Sequence, residues 1–138
     1  PDEIPAFLEA WKQTGADLII GERDFSRMPF SRRLANTLGR MTFSWALHRK
    51  VRDNQSGYRL VSRRLMEATL QSSEQGFEFE VEMITVCVTE GYRLAWVPIR
   101  TIYAGETSHI RPLHHLLHFL RVVWAARRRV QARRRAPA

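Results

Sequence analysis

The stretch ADLIIGER, residues 16–23, decides how the chain is read. Its first six residues are an apolar run too short for a helix and bounded by Gly15 and Gly21, which predicts a buried strand. Upstream lies PDEIPAFLEAWKQTG, residues 1–15, with the marks of a helix. Asp2 is a candidate cap, Pro5 is tolerated in the first turn, Phe7, Leu8 and Trp11 share a face, and Gly15 ends it. Downstream, ERDFSRMPF reads as an irregular basic loop. A strand entered from a helix and left through a long loop is the signature of a mixed α/β chain, not of a hairpin.

Working outward, residues 31–50 (SRRLANTLGRMTFSWALHRK) predict a second helix capped by Ser31, with Leu34, Leu38, Met41 and Trp45 at helical spacing. The polar turn DNQSG follows, then YRLVS as a short strand. SRRLMEATLQ reads as a helix capped by Ser62, and FEFEVEMITVCVTEG as a helix ending at Gly91. YRLAWVPIRTIY is strand-like, with Pro98 marking an edge or a bend. AGETSHIRP is a loop, and a last helix is expected over about residues 113–130. No internal repeat is visible. Three or four strands are few for a sheet covered on both faces, so the expectation is the second half of a larger α/β domain.

At 138 residues the chain is one domain at most, and 44% hydrophobic residues can build a core. The single cysteine, Cys87, excludes an internal disulfide, suits a reducing compartment, and on an apolar helix belongs in the core. The acidic start lacks the apolar region of a signal peptide. No apolar run approaches the ~20 residues of a membrane span. A formal net charge of +8 favours anionic partners. Arg127, Arg128, Arg129, Arg133, Arg134 and Arg135 concentrate that charge at the end of the chain.

The site candidates are polar residues in excess of what turns require. In DNQSGYR, residues 53–59, a turn needs Asn54, Ser56 and Gly57 but not Asp53 or Arg59. The two charges can face one space and hold a phosphate, or they can form an Asx-turn with an ion pair. Arg23 ends a strand, where ligands of open α/β sheets bind, or it is an exposed loop arginine. Arg32 and Arg33 lie at a helix start, where basic side chains oppose the dipole and an anion would offset them. Glu78, Glu80 and Glu82 offer carboxylates, or simply favour a helix N-terminus. His114 and His118 stand one turn apart but lack the third ligand that zinc requires.

The order DLIIGER, FSRRLANTLG, DNQSGYRLVSR, GFEFEVEMI and GYRLAWVPIRTIYAGETSHIRP resembles the C-terminal half of family 2 glycosyltransferases. The similar branch is the dolichol-phosphate mannose synthase or polyprenyl-phosphate glycosyltransferase type, over residues 1–112. The resemblance implies the C-terminal part of a GT-A domain, a Rossmann-like nucleotide-sugar fold, in residues 1–111, followed by a basic amphipathic helix and tail in 112–138. It implies inverting transfer from a GDP- or UDP-sugar to an acceptor, polyprenyl or dolichyl phosphate, with Mg²⁺ or Mn²⁺ as cofactor. The family's DxD-containing stretch comes just before a helix like PDEIP, so the metal acids and the donor-binding half are expected upstream and the isolated chain is expected to be inactive.

Residue by residue, the resemblance gives Asp53 and Arg59 catalytic roles. It gives Arg23 and Arg33 (or Arg32, by one position) phosphate binding, and it places Gln55, Ser56, Glu80, Glu82, Tyr103 and Ser108 along the substrates. The apolar positions Leu113, Leu116, Leu117, Leu120, Val123 and Trp124, ahead of the terminal arginines, suit a helix lying on an anionic membrane surface. The expected location is the cytoplasmic face of a membrane, held peripherally. The competing reading is a basic module without catalysis, docking on membrane or on nucleic acid. Nucleic acid is disfavoured because no recognition motif for it is present.

Overall fold

The structure is a computed structural model that describes residues 2–71, 78–100 and 112–135. These form a mixed α/β arrangement of five helices and one three-stranded sheet. In chain order the elements are α1 (Ile4–Thr14), β1 (Leu18–Arg23), α2 (Phe30–Leu47), β2 (Arg59–Val61), α3 (Arg63–Leu70), α4 (Glu78–Thr89), β3 (Leu94–Ile99) and α5 (Pro112–Arg135).

The apolar run becomes the central strand. β1 pairs antiparallel with β2 and parallel with β3 along its whole length, from Leu18↔Leu94 to Arg23↔Ile99. Pro98 therefore sits on an edge strand, as expected of a residue with no N–H to give a further neighbour. Successive side chains of β1 point to opposite faces. Ile19 packs with Phe7, Ala16 and Val97 beneath α1, while Leu18 and Ile20 join Phe43, Leu47, Leu65, Ile84, Val123 and Val130 on the other side. The sheet thus separates α1 from the layer containing α2, α4 and α5. Gly21 is required by this packing: a Cβ there would lie 2.7 Å from Cδ1 and 2.8 Å from Cγ2 of Ile99.

Helix ends follow local chemistry with two corrections. Gly15 takes the left-handed conformation (φ 58°) and stops α1, and the Ser62 hydroxyl caps α3 by accepting from the Leu65 N–H. Asp2 is not the cap of α1, however; Glu3 occupies that position without a side-chain hydrogen bond. Nor does Ser31 cap α2, which begins one residue earlier, behind Pro29. Pro29 fixes its own φ and so presets the turn into the helix. α2 ends on His48 in the left-handed region (φ 51°), its N–H donating to Ser44 and Trp45 carbonyls.

The apolar stripe of α2 does not face the core. Phe43, Ala46 and Leu47 are buried, whereas Leu34, Leu38, Met41 and Trp45 point outward and are half-exposed or more. In α1 likewise only Phe7 of its three apolar positions is buried; Leu8 and Trp11 are half-exposed. α5 runs five residues past its expected end and buries Val123, Ala126 and Val130, while Leu117, Leu120 and Trp124 face out. Cys87 lies fully inside, and burial pushes its thiol up to about 12, so it is an inert core residue.

Candidate functional site

The carboxyl end of β1 and the loop after α2 meet around Asp53. That side chain is fully buried and accepts hydrogen bonds from five donors. Arg23 grips it in the bidentate manner, Nε to Oδ2 at 2.6 Å and Nη2 to Oδ1 at 2.9 Å, with the Arg23 backbone N–H at 3.4 Å. The N–H groups of Gln55 and Ser56 reach Oδ1 at 3.0 and 3.2 Å. The loop is therefore an Asx-turn with an ion pair, but the partner is Arg23, thirty residues away, and not Arg59.

Arg59 serves the same loop from beneath. Its guanidinium donates to the carbonyls of Ser56 (2.8 Å), Asn54 (3.3 Å) and Glu80 (2.5 Å), clamping the turn to the start of α4. Burial lowers its affinity for a proton, while Glu80 and Asp53 oppose that shift. Glu80 also lies against Gly57, its Oε1 3.4 Å from where a Cβ would be. Tyr58 packs edge-on against Phe7 of α1, with ring centres 4.9 Å apart. Ser56 is buried and Gln55 half-buried in the turn itself. The side-chain amide of Asn54 is buried with Nδ2 lacking a partner among the described residues.

Beyond the gripped pair opens a cleft of about 700 Å³ at the carboxyl ends of β1 and β3. Arg23, Arg33 and Arg40 line it, and Phe25, Phe30, Leu34 and Ile99 make its apolar walls. The Phe25 ring lies between two guanidiniums, 5.8 Å from that of Arg23 and 5.3 Å from that of Arg40, a cation–π arrangement that holds both toward the cleft. Neither Arg33 nor Arg40 has a carboxylate within ion-pair distance among the described residues. Glu22, ion-paired with Arg52, and Asp24 line the same cleft, so Arg33 and Arg40 bring positive charge beside two carboxylates and an apolar wall, a lining with room for an anion that carries an apolar substituent.

The expected site residues divide accordingly. Arg23 and Arg33 share the cleft; Asp53, Gln55, Ser56 and Arg59 form the loop that orients Arg23; Glu80 touches that loop. Glu82 is elsewhere, buried and ion-paired with Arg129 of α5. Tyr103 and Ser108 lie outside the described residues, as does the side chain of His114. Arg40 was missed. Its only sequence signal is its spacing, seven residues or two turns after Arg33, on the same side of α2.

No three carboxylate, imidazole or thiol groups converge on a cation site among the described residues. The oxygens of Asp53 are already committed to five donors.

No protein-family model matches this chain, and no curated protein is significantly similar to it.

Proposed function

We propose that the chain is the acceptor-side part of an inverting glycosyltransferase that moves a sugar from a nucleotide-sugar donor to a lipid-linked phosphate. One observation carries the reading: a cleft at the strand ends whose lining includes Arg23, Arg33 and Arg40 together with Phe30, Leu34 and Ile99. A polyprenyl phosphate has this dual character, an anionic head on an apolar chain.

The chemistry asks little of an acid–base pair. A phosphate monoester is anionic at neutral pH, so an oxygen lone pair can attack the anomeric carbon directly. The new bond joins that carbon to the acceptor oxygen; the bond to the diphosphate breaks, and the nucleoside diphosphate leaves with the electron pair. What must be supplied is orientation and relief of charge repulsion between two phosphate-bearing reactants. Arg33 and Arg40 supply positive charge to the acceptor phosphate. Arg23, fixed in two dimensions by Asp53, supplies a guanidinium whose direction does not wander.

The test is a transfer assay with a panel of GDP- and UDP-sugars and a polyprenyl phosphate, on a protein in which these residues are joined to a donor-binding half. Arg33→Ala and Arg40→Ala are expected to raise KM for the polyprenyl phosphate about tenfold or more each, without a comparable change for the donor. Turnover with none of the donors, or equal loss toward donor and acceptor, would remove the acceptor assignment.

A further inference from the structure

We infer that a second hollow, next to the cleft and sharing Arg40 with it, binds a small multivalent oxyanion of the inorganic phosphate kind. The hollow encloses about 600 Å³. Its lining takes Arg40, Met41 and Ser44 from α2, Lys50, Val51 and Arg52 from the segment that follows, and Glu22 from β1.

Local chemistry builds this hollow. α2 stops at His48 in the left-handed conformation, which turns the chain back. Ser44 then fastens the returning segment: its hydroxyl accepts from the Val51 N–H at 2.9 Å and donates to the Arg40 carbonyl at 2.6 Å. Val51 is drawn into the core, which leaves its neighbours Lys50 and Arg52 on the surface. The segment that carries two of the cations is therefore ordered before any ligand arrives, which lowers the cost of binding.

Three cations and one carboxylate line the hollow. Arg52 and Glu22 pair at 3.1 Å, Nη1 to Oε2. Neither Arg40 nor Lys50 has a carboxylate within ion-pair distance among the described residues. Arg40 meets the Phe25 ring at 5.3 Å, a contact that attracts a cation without neutralising it. Two positive charges are thus left over once the acid is counted. The helix dipole accounts for a lysine just beyond the end of α2, but not for Arg40, about two turns before that end.

The walls choose the ligand. The cleft offers Phe25, Phe30, Leu34 and Ile99 to an apolar substituent, whereas the hollow has only Met41 and the buried Val51, and no aromatic ring. Nothing there would stack on a base or a sugar. A phosphate dianion matches the two surplus charges, and its oxygens accept from guanidinium and ammonium at once. The remaining volume admits the water that such an ion keeps. Because Arg40 lines both spaces, an anion in the hollow and an anion in the cleft compete for one guanidinium. On the transferase reading, which this step alone rests on, the hollow is an inhibitory site: phosphate held there draws Arg40 away from the acceptor.

The experiment is calorimetric titration of the 138-residue protein with inorganic phosphate, above its second pKa and at constant chloride. Saturable binding is expected. Lys50→Ala should weaken it about tenfold without moving the melting temperature, the scale of losing one charge-assisted hydrogen bond, and Arg40→Ala should weaken it at least as much. Arg33→Ala, which alters the cleft alone, should leave it unchanged, as should Arg133→Ala/Arg134→Ala, which thins the terminal charge. Absence of saturable binding, binding untouched by Lys50→Ala, or equal loss from the Arg33 or the terminal variant would each overturn the inference. The titration involves no sugar transfer, so failure of this site and failure of the transferase reading are separable.

Discussion

Asp53 accepts five hydrogen bonds and Arg59 donates three to backbone carbonyls, and that determines how they fail when altered. Asp53→Asn keeps the shape but loses the charge on which Arg23 closes, and it turns one acceptor into a donor facing the guanidinium. On the transferase reading the expected result is a fall in turnover of about 10²-fold, the scale of losing one transition-state stabilising group, checked by steady-state transfer kinetics. Arg59→Ala strands two carbonyls of a buried turn and cuts its tie to the Glu80 carbonyl of α4, so activity and melting temperature should fall together. A loss of activity without loss of stability would give Arg59 a direct part in the chemistry. The pairing of Asp53 with Arg23 was not legible beforehand, because no local spacing rule joins residues thirty apart; only the strand-to-loop meeting does. Asp17 poses a separate question at the opposite end of β1. Arg64 holds it by two hydrogen bonds of 2.6 Å, helped by Ser62 and the Arg93 N–H, and keeps its carboxyl at about 2 against an ordinary 3.8. A depressed carboxyl contributes stability that is complete above its unfolded value and disappears as pH falls toward the folded one. The melting-temperature gap between wild type and Asp17→Asn should therefore be constant near neutrality and close between about pH 4 and pH 2.

Among the elements, β1 tests the packing most directly. Gly21→Ala forces a methyl into Ile99, whose branched side chain has little freedom to yield, and should cost about 1–3 kcal/mol by chemical denaturation. Gly21→Ala/Ile99→Ala should recover part of what the first change loses relative to Ile99→Ala alone. α5 gives the second test. Removing residues 125–138 takes Ala126 and Val130 out of the core and leaves Glu82 without Arg129, so the truncated chain should lose ~3 kcal/mol or more of unfolding free energy. That differs from the behaviour of a detachable tail, which would leave the melt unchanged. The helices and strands themselves were legible: an apolar run between glycines, Ser62 ahead of a periodic segment, proline on an edge. Which face of α2 would turn inward was not. A helix with Phe43, Ala46 and Leu47 on one side and Leu34, Leu38, Met41 and Trp45 on the other satisfies helical periodicity twice. Only the partners supplied by α4 and α5 choose between them.

For the whole molecule, the sheet separates α1, preceded by Asp2 and Glu3, from a layer in which α2 and α5 carry no carboxylate and α4 carries the glutamates. On the transferase reading, which puts the donor-binding half outside these 138 residues, the chain alone should show no sugar transfer with any nucleotide sugar; product formation by the purified chain would contradict this. The separation of charge has a consequence that precedes contact. Such a body has a permanent electric dipole across its thickness, and near an anionic plane it experiences a torque as well as an attraction. Within the screening distance of about 8 Å at physiological salt its arginine-rich side is the one drawn toward such a plane, so added salt should slow the association of the protein with any anionic partner more than it shortens the residence time.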